Sequence, residues 1–180
     1  MEENAESMLK KIAVTGPECS GKTTLCRALA ANFSCLWVPE MARTALEKNG
    51  PSYDAVSVEE MARLQMEEER RLERIASMAG HPWLFCDTDL LVYQIWMEQR
   101  FGFCPDWIRE RASNPDYSLI LLLVPDLPWE EDPLRENPFN RNVLFDLYEN
   151  ELMKGNTNWN CIGGTDRLEK AIRLIGEIPV

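Results

Sequence analysis

The chain has 180 residues, of which 45% are hydrophobic, and this length and composition suit one domain with a sizeable core. Its formal net charge of −11 argues against a nucleic-acid or anionic-membrane partner, since both would repel the protein at long range. The six cysteines form no C-x-x-C pair, which is typical of free thiols in a reducing cytosol, and we therefore expect a cytoplasmic protein.

The chain begins with an acidic, polar segment. We expect residues 1–9 to form a tail without the features of a signal or transit peptide, and residues 10–180 to form one domain. The longest apolar run, residues 119–124, is too short to span a membrane and suits a buried strand.

Strands and helices alternate along the predicted domain. Short apolar runs, which are typical of parallel strands covered on both faces, occupy residues 10–15, 35–38, 82–86, 117–124 and 158–162. Helical spacing is found at residues 23–33, 41–49, 57–78, 90–100, 107–112, 142–154 and 167–176. Ser57 and Glu60 have the spacing of a capping box at the start of the third helix. The alternation predicts an α/β fold with an open five-stranded parallel sheet and helices on both faces.

A glycine-rich loop follows the first strand and opens the first helix. It fits G-x-x-x-x-G-K-[ST], in which backbone N–H groups, the helix N-terminus and a lysine together bind phosphates. The loop therefore predicts a P-loop NTPase that binds ATP. Its predicted ATP-binding residues are Gly16, Pro17, Glu18, Cys19, Ser20, Gly21, Lys22, Thr23 and Thr24. Gly163 is a further candidate because a glycine after the fifth strand would let the backbone approach the adenine ring, although a plain turn explains it almost as well.

Two aspartates follow the third strand. Asp87 ends an apolar run, which is the position of the acidic residue that holds Mg²⁺ in P-loop enzymes, and Thr23 would complement it. The alternative for Asp87 is an N-cap of the next helix. Asp89 would bind a substrate hydroxyl or act as a cap.

Polar residues also follow the second strand. Glu40 is the candidate catalytic residue that orients or deprotonates an acceptor hydroxyl, since it lies beside the predicted phosphate loop. Arg43 would pair with Glu40 or reach a phosphate, with an ordinary surface ion pair as the alternative. Aromatic candidates for a ring-binding site, which core or lid packing would also explain, are Trp37, Trp96, Trp107 and Trp129.

Residues 126–141 are rich in proline and charge and follow the fourth strand. We expect an ordered but mobile lid. Arg135 and Arg141 would carry positive charge onto a transferring phosphoryl group as catalytic residues alongside Lys22, and a solvated loop is the alternative.

These motifs together resemble a bacterial P-loop family, that of the ribosylnicotinamide kinase domain of the bifunctional NAD-biosynthesis regulator, an AAA-type ATPase-like small kinase. The resemblance extends over about residues 11–175 and includes Gln65, the Asp-Thr-Asp of residues 87–89 and the D-x-P-W-x-x-D-x-x-R of residues 126–135. It implies a nucleoside-kinase-like fold and transfer of the γ-phosphoryl group of ATP to the 5′-hydroxyl of nicotinamide riboside. The implied cofactors are ATP and Mg²⁺, with Thr23 and Asp87 on the metal. The candidate substrate-binding residues are Glu40, Arg43, Asp89, Trp37 and Gln65.

One position departs from the family pattern. An aromatic residue directly precedes the glutamate of the second strand in the family, whereas Pro39 occupies that position in this chain. Another nucleoside or a thiamine-like vitamin is therefore an alternative acceptor. A regulatory P-loop ATPase without a small-molecule acceptor is a second alternative.

Overall fold

A computed structural model gives the fold of residues 9–179, so that most of the predicted tail lies outside the described residues. Five parallel strands form one sheet in the order β2-β3-β1-β4-β5. The strands are β1 (Lys10–Thr15), β2 (Leu36–Val38), β3 (Trp83–Asp87), β4 (Leu119–Leu123) and β5 (Trp159–Ile162). Because all pairings are parallel, the segments that follow the strands lie at the same carboxyl edge of the sheet, and the segments after β3 and β4 flank the one after the central β1. The predicted sheet is confirmed.

Seven helices accompany these strands over the described part of the chain. They are α1 (Lys22–Phe33), α2 (Met41–Asn49), α3 (Ala55–Met78), α4 (Leu90–Phe101), α5 (Asp106–Ser113), α6 (Arg141–Lys154) and α7 (Arg167–Gly176). None of the helices within residues 9–179 is long and apolar enough to cross a membrane.

The alternation of side chains along β1 explains why both faces of the sheet are covered. Ile12 and Val14 are fully buried in a cluster with side chains of α1 and α7. Ala13 lies in a different cluster, with side chains of α4 and α6. Each large apolar side chain buried in this way contributes about 1.5–3 kcal/mol. The sheet is therefore fixed from both sides, and its carboxyl edge provides a rigid base for the loops.

The start of α3 differs from the prediction. Its N-cap is Asp54, whose carboxylate accepts a hydrogen bond from the Ser57 backbone N–H at 2.8 Å, while the Ser57 hydroxyl lies 3.5 Å from the Asp54 nitrogen. The prediction of Ser57 as the N-cap was wrong because Asp is an equally good cap, and the helix begins two residues earlier than predicted.

Candidate active site

The phosphate loop, residues 16–24, connects β1 to α1 and has a shape that requires glycine. Gly16 has a φ of +134°, and a Cβ atom there would lie 2.9 Å from the carbonyl oxygen of Leu123. Gly21 has a φ of +87° directly before α1. The hydroxyl of Ser20 donates to the carbonyl of Pro17 at 2.8 Å, which closes the loop on itself. Substituting Gly16 would therefore displace β4.

Lys22 is the first residue of α1, and its ammonium group folds back over the loop. Nζ donates to the carbonyl oxygens of Gly16 at 2.9 Å and Pro17 at 3.0 Å. The helix N-terminus and this ammonium group thus place positive charge on the same concave surface, as an anion site requires.

Asp87 at the end of β3 and Thr23 in the first turn of α1 are in direct contact. The Thr23 hydroxyl donates to Asp87 Oδ2 at 2.5 Å, whereas Asp87 Oδ1 is buried without a hydrogen-bond partner among the described residues. Burial, reinforced by the nearby Glu40 carboxylate, raises the pKa of Asp87 to about 6. An unpaired carboxylate oxygen beside a hydroxyl suits Mg²⁺, which binds through one or two carboxylates, waters and substrate phosphates. Thr23 and Asp87 therefore fit the predicted metal site.

Asp89 lies on the other side of the same turn. It occupies the N-cap position of α4, and its Oδ1 accepts a hydrogen bond from the Thr15 hydroxyl at 2.9 Å. Its side chain is buried, which raises its pKa to about 6, and it does not line the cavity described below. The Asp89 side chain makes no capping hydrogen bond, although its backbone is at the N-cap position. Its contact with Thr15 ties β1 to α4, and this structural role is favoured over direct contact with a substrate.

Gln65 of α3 is also predicted to bind the substrate, but the structure gives it another position. Its amide oxygen accepts from the Met41 backbone N–H at 2.8 Å, and its amide nitrogen donates to the Pro39 carbonyl at 3.2 Å. These two residues flank Glu40, which is the N-cap of α2. Gln65 therefore holds the backbone on both sides of Glu40 and does not itself line the cavity.

Arg43 of α2 reaches the predicted lid, residues 126–141. Its Nη2 lies 2.7 Å from Asp132 Oδ2 and its Nη1 lies 3.5 Å from Glu47 Oε1. The predicted pairing with Glu40 is not formed, and the carboxylate of Glu40 has no hydrogen-bond or ion-pair partner among residues 9–179. Glu40 lines the cavity described below.

A cavity of about 750 Å³ runs from the phosphate loop past Glu40 to an aromatic wall. The wall contains Tyr53 and Trp96, whose rings meet edge to face with centroids 4.9 Å apart. The Trp96 indole N–H donates to the Tyr53 hydroxyl at 3.2 Å. Tyr53 was missed by the sequence reasoning, and an aromatic residue in the loop before α3 was the only signal for it.

The other predicted aromatic residues lie elsewhere. Trp37 packs against the core cluster formed with α1 and α7, and Trp107 donates to Glu59 at 2.7 Å on the surface of the helical layer. The Trp129 ring belongs to the lid, where the guanidinium groups of Arg135 and Arg141 lie 6.0 and 5.7 Å from its centroid. Trp96 is thus the tryptophan of the four that lines the cavity.

The predicted lid arginines both contact the phosphate loop at Cys19. Arg141 Nη1 donates to the Cys19 carbonyl at 3.4 Å and to the Leu127 carbonyl at 2.9 Å. Arg135 Nη1 lies 3.3 Å from the Cys19 sulfur and 2.6 Å from the Glu130 carbonyl oxygen. The lid therefore adds two positive charges to the rim of the loop.

On the side of β5, Gly163 is crowded by the protein itself. A Cβ atom there would lie 3.0 Å from Asp126 Oδ2 and 3.1 Å from the Val124 side chain, and Gly163 does not line the cavity. The neighbouring Arg167 of α7 was missed by the sequence reasoning. Its guanidinium donates to the Ser20 carbonyl and the Asp126 carboxylate, and at 2.9 Å to the Val124 carbonyl. Asp126 follows β4 and Arg167 follows β5, and these two strands are parallel neighbours. The opposite charges of the two residues at the same edge of the sheet were the signal that could have predicted this contact.

The chain matches the AAA domain family over residues 11–165. No match is found among curated proteins.

Solved structures with the same fold include two of the NadR protein. One is in complex with NAD and AMP-PNP and matches with a TM-score of 0.79 at 19% identity. The match covers 96% of this chain and 50% of the NadR chain. The other is in complex with NR and matches with a TM-score of 0.76 at 20% identity. The match covers 96% of this chain and 52% of the NadR chain. This chain thus spans about half the length of the NadR chains.

A third solved structure, the thymidylate kinase of Ehrlichia chaffeensis, has a TM-score of 0.66 at 13% identity and covers 93% of this chain and 98% of its own. The deoxyadenosine kinase of M. mycoides with bound dCTP has a TM-score of 0.62 at 11% identity. The match covers 93% of this chain and 100% of the kinase chain. The fold is that of the P-loop nucleoside and nucleotide kinases, and the chain belongs to the AAA domain family of P-loop proteins.

Proposed function

We propose that this protein is an ATP-dependent kinase that phosphorylates the 5′-hydroxyl of a nucleoside, with nicotinamide riboside as the first candidate. The observation that carries the proposal is that one continuous cavity joins the phosphate loop to the aromatic wall of Tyr53 and Trp96, with Glu40 between them. A volume of about 750 Å³ is within the range of small-molecule sites.

The donor half of the proposed reaction is the phosphate loop. The backbone N–H groups, the α1 N-terminus and Lys22 would bind the phosphates of ATP. Thr23 and Asp87 would hold Mg²⁺, which when bound neutralises charge on the phosphates. Arg135 and Arg141 lie against Cys19 of the loop, from which they can stabilise negative charge on the transferring group.

The acceptor half is the region around Glu40. In the proposed step, the acceptor hydroxyl oxygen forms a bond to the γ-phosphorus while the bond from that phosphorus to the bridging oxygen of ADP breaks. The hydroxyl proton passes to the Glu40 carboxylate, which has no competing partner among the described residues. Gln65 fixes the backbone on both sides of Glu40, so that the carboxylate keeps its position between the two halves.

Two observations support a nucleoside whose base is a flat ring. The edge-to-face pair of Tyr53 and Trp96 forms an apolar wall with a polar tip, the surface on which an aromatic ring packs well. The fold is also shared with NadR, which has been crystallised with NR, and with a thymidylate and a deoxyadenosine kinase. Nicotinamide riboside is the first candidate because the resemblance of the motifs and the NadR likeness agree.

A chromatographic assay with ATP, MgCl₂ and a panel of acceptors tests the proposal. The panel contains nicotinamide riboside, adenosine, deoxyadenosine, thymidine and thiamine. We expect one phosphorylated product per ATP consumed, formed fastest from nicotinamide riboside. No phosphorylated product from any acceptor would refute the kinase proposal, and ATP hydrolysis at the same rate without an acceptor would support a regulatory ATPase.

Glu40→Gln is the informative variant, because it keeps the shape of the side chain and removes the proton acceptor. We expect it to bind an ATP analogue as the wild type does and to lose about 100-fold or more in kcat. Glu47→Gln is the matched control, since Glu47 lies on the same helix and is 60% exposed. Equal activity of the two variants would contradict the role of Glu40.

A further inference from the structure

One residue of the lid is bonded to both ends of the cavity. The Glu136 backbone N–H donates to Glu18 Oε2 of the phosphate loop at 3.0 Å. The Glu136 carboxylate accepts a hydrogen bond from the Tyr53 hydroxyl, which in turn accepts one from the Trp96 indole. A continuous chain of hydrogen bonds therefore runs from the aromatic wall, through Glu136, to the phosphate loop.

The Glu18 side chain turns toward the lid. Its Oε2 accepts the backbone N–H groups of two consecutive lid residues, Glu136 and Asn137, both at 3.0 Å. Bonds from N–H groups to a carboxylate are about twice as strong as those between neutral groups. Glu18 therefore attaches the phosphate loop to residues 136–137 through two charge-assisted hydrogen bonds.

This attachment also restrains Arg135 of the lid. Arg135 directly precedes Glu136, so the position of the Glu136 amide sets where the Arg135 guanidinium meets Cys19. On the other side, Asp132 of the lid is held by Arg43 of α2. The lid is thus tied to the donor half of the cavity through Glu18 and Cys19, and to the acceptor half through Asp132 and Glu136.

We infer that Glu18 is a positioning residue whose carboxylate latches the lid over the phosphate loop, and that the chain Trp96–Tyr53–Glu136–Glu18 couples occupancy of the acceptor wall to lid closure over the nucleotide. The inference rests on the proposed function. An acceptor that packs against Tyr53 and Trp96 stabilises the closed lid, and by reciprocity it increases the affinity for the nucleotide.

Hydrogen exchange of the unliganded protein tests the latch without any need for activity. In the wild type we expect the amides of residues 136 and 137 to be protected, and in Glu18→Ala to exchange at least about tenfold faster. Glu131→Ala is the matched control, because Glu131 is an exposed lid carboxylate. Tyr53→Phe removes the next link, and its effect on lid exchange should be less than additive with that of Glu18→Ala.

Kinetics and binding test the coupling. We expect Glu18→Ala to change the affinity for a non-hydrolysable ATP analogue little when no acceptor is present. We expect it to lower kcat by about tenfold or more, because Arg135 is no longer held in its position against Cys19. Nicotinamide riboside should tighten binding of the analogue at least about fivefold in the wild type and leave it unchanged in Glu18→Ala. Glu18→Gln keeps an acceptor oxygen and should recover part of both effects.

Each outcome decides the inference. Protection of residues 136–137 in Glu18→Ala equal to that in Glu131→Ala overturns the latch, and an unchanged kcat overturns the positioning role. If the wild type phosphorylates no acceptor while Glu18→Ala still opens the lid, the proposed function is wrong and the latch stands. If Glu18→Ala does not fold, Glu18→Gln is compared with Glu131→Gln. We expect faster amide exchange of residues 136–137 in Glu18→Gln, and equal exchange in the two variants would contradict the latch.

Discussion

The Thr23 hydroxyl lies 2.5 Å from Oδ2 of Asp87, where the beginning of α1 meets the end of β3. The pairing of β1 with β3 brings about this contact, because Val14 at the end of β1 lies opposite Asp87. The other oxygen of Asp87 is buried without a partner among the described residues. A buried carboxylate of this kind destabilises the fold unless a cation binds it.

Replacing Asp87 with Asn should therefore stabilise the protein in the absence of metal and abolish its response to Mg²⁺. A pKa raised from 3.8 to about 6 corresponds to at most about 3 kcal/mol at neutral pH. Thermal unfolding with and without MgCl₂ and ADP measures both effects. Asp146→Asn, at an exposed position, is the control. A variant that is still stabilised by Mg²⁺ as strongly as the wild type would show that the metal binds elsewhere.

The difference in stability between Asp87→Asn and the wild type should depend on pH, and the raised pKa values give the direction of this dependence. Because the pKa values of Asp87 and Asp89 are raised in the folded protein, their contribution to stability is greatest below about pH 4 and is lost as the pH rises through about 6. The stability advantage of Asp87→Asn should thus be small at pH 4 and grow up to pH 7. Mg²⁺ affinity of the wild type should rise over the same interval, since the proton competes with the metal. Denaturant unfolding and Mg²⁺ titrations at pH 4–8 check both trends, and a stability advantage that does not vary with pH would contradict the raised pKa of Asp87.

The sheet and the phosphate loop were predictable from local patterns. Uninterrupted apolar runs locate buried parallel strands, and the glycines of the loop locate the turn between β1 and α1. The contacts of Arg43 and Tyr53 were not predictable, because their partners Asp132 and Glu136 are more than 80 residues away in sequence. Local spacing favoured Glu40 as the partner of Arg43, and only the packing of the lid against α2 excludes it.

Gln65 gives the third prediction, since the motif pointed to a substrate contact and the geometry points to a positioning role. Gln65→Leu leaves the partly buried Met41 N–H and Pro39 carbonyl without these partners, at a cost of up to about 1–3 kcal/mol for each group. We expect kcat to fall at least about tenfold, with unchanged affinity for the ATP analogue. Ile175→Val, in the core cluster next to α1, lowers stability by about 0.5–1.5 kcal/mol without touching Glu40 and should keep its kcat. Altered binding of the analogue with a normal kcat would show that Gln65 acts on the donor half instead.

Arg167 gives the last prediction, because it ties α7 to the phosphate loop. Its guanidinium donates to the Ser20 and Val124 carbonyls and to the Asp126 carboxylate, and its side chain is only 11% exposed. Arg167→Ala leaves the Ser20 carbonyl unpaired and loosens the loop, so we expect the KM for ATP to rise about tenfold with little change in kcat, and stability to fall by about 1–3 kcal/mol.

Arg167→Lys should not rescue this loss, because an ammonium group cannot reach the three acceptors in the geometry of a planar guanidinium. Arg173→Ala removes the same charge from an exposed position of α7 and is the matched control. Steady-state kinetics with varied ATP, together with thermal unfolding, separate the two variants. Equal KM values for Arg167→Ala and Arg173→Ala would mean that the loop keeps its shape without this tie. A raised KM only in Arg167→Ala and Arg167→Lys would establish α7 as part of the support of the nucleotide site.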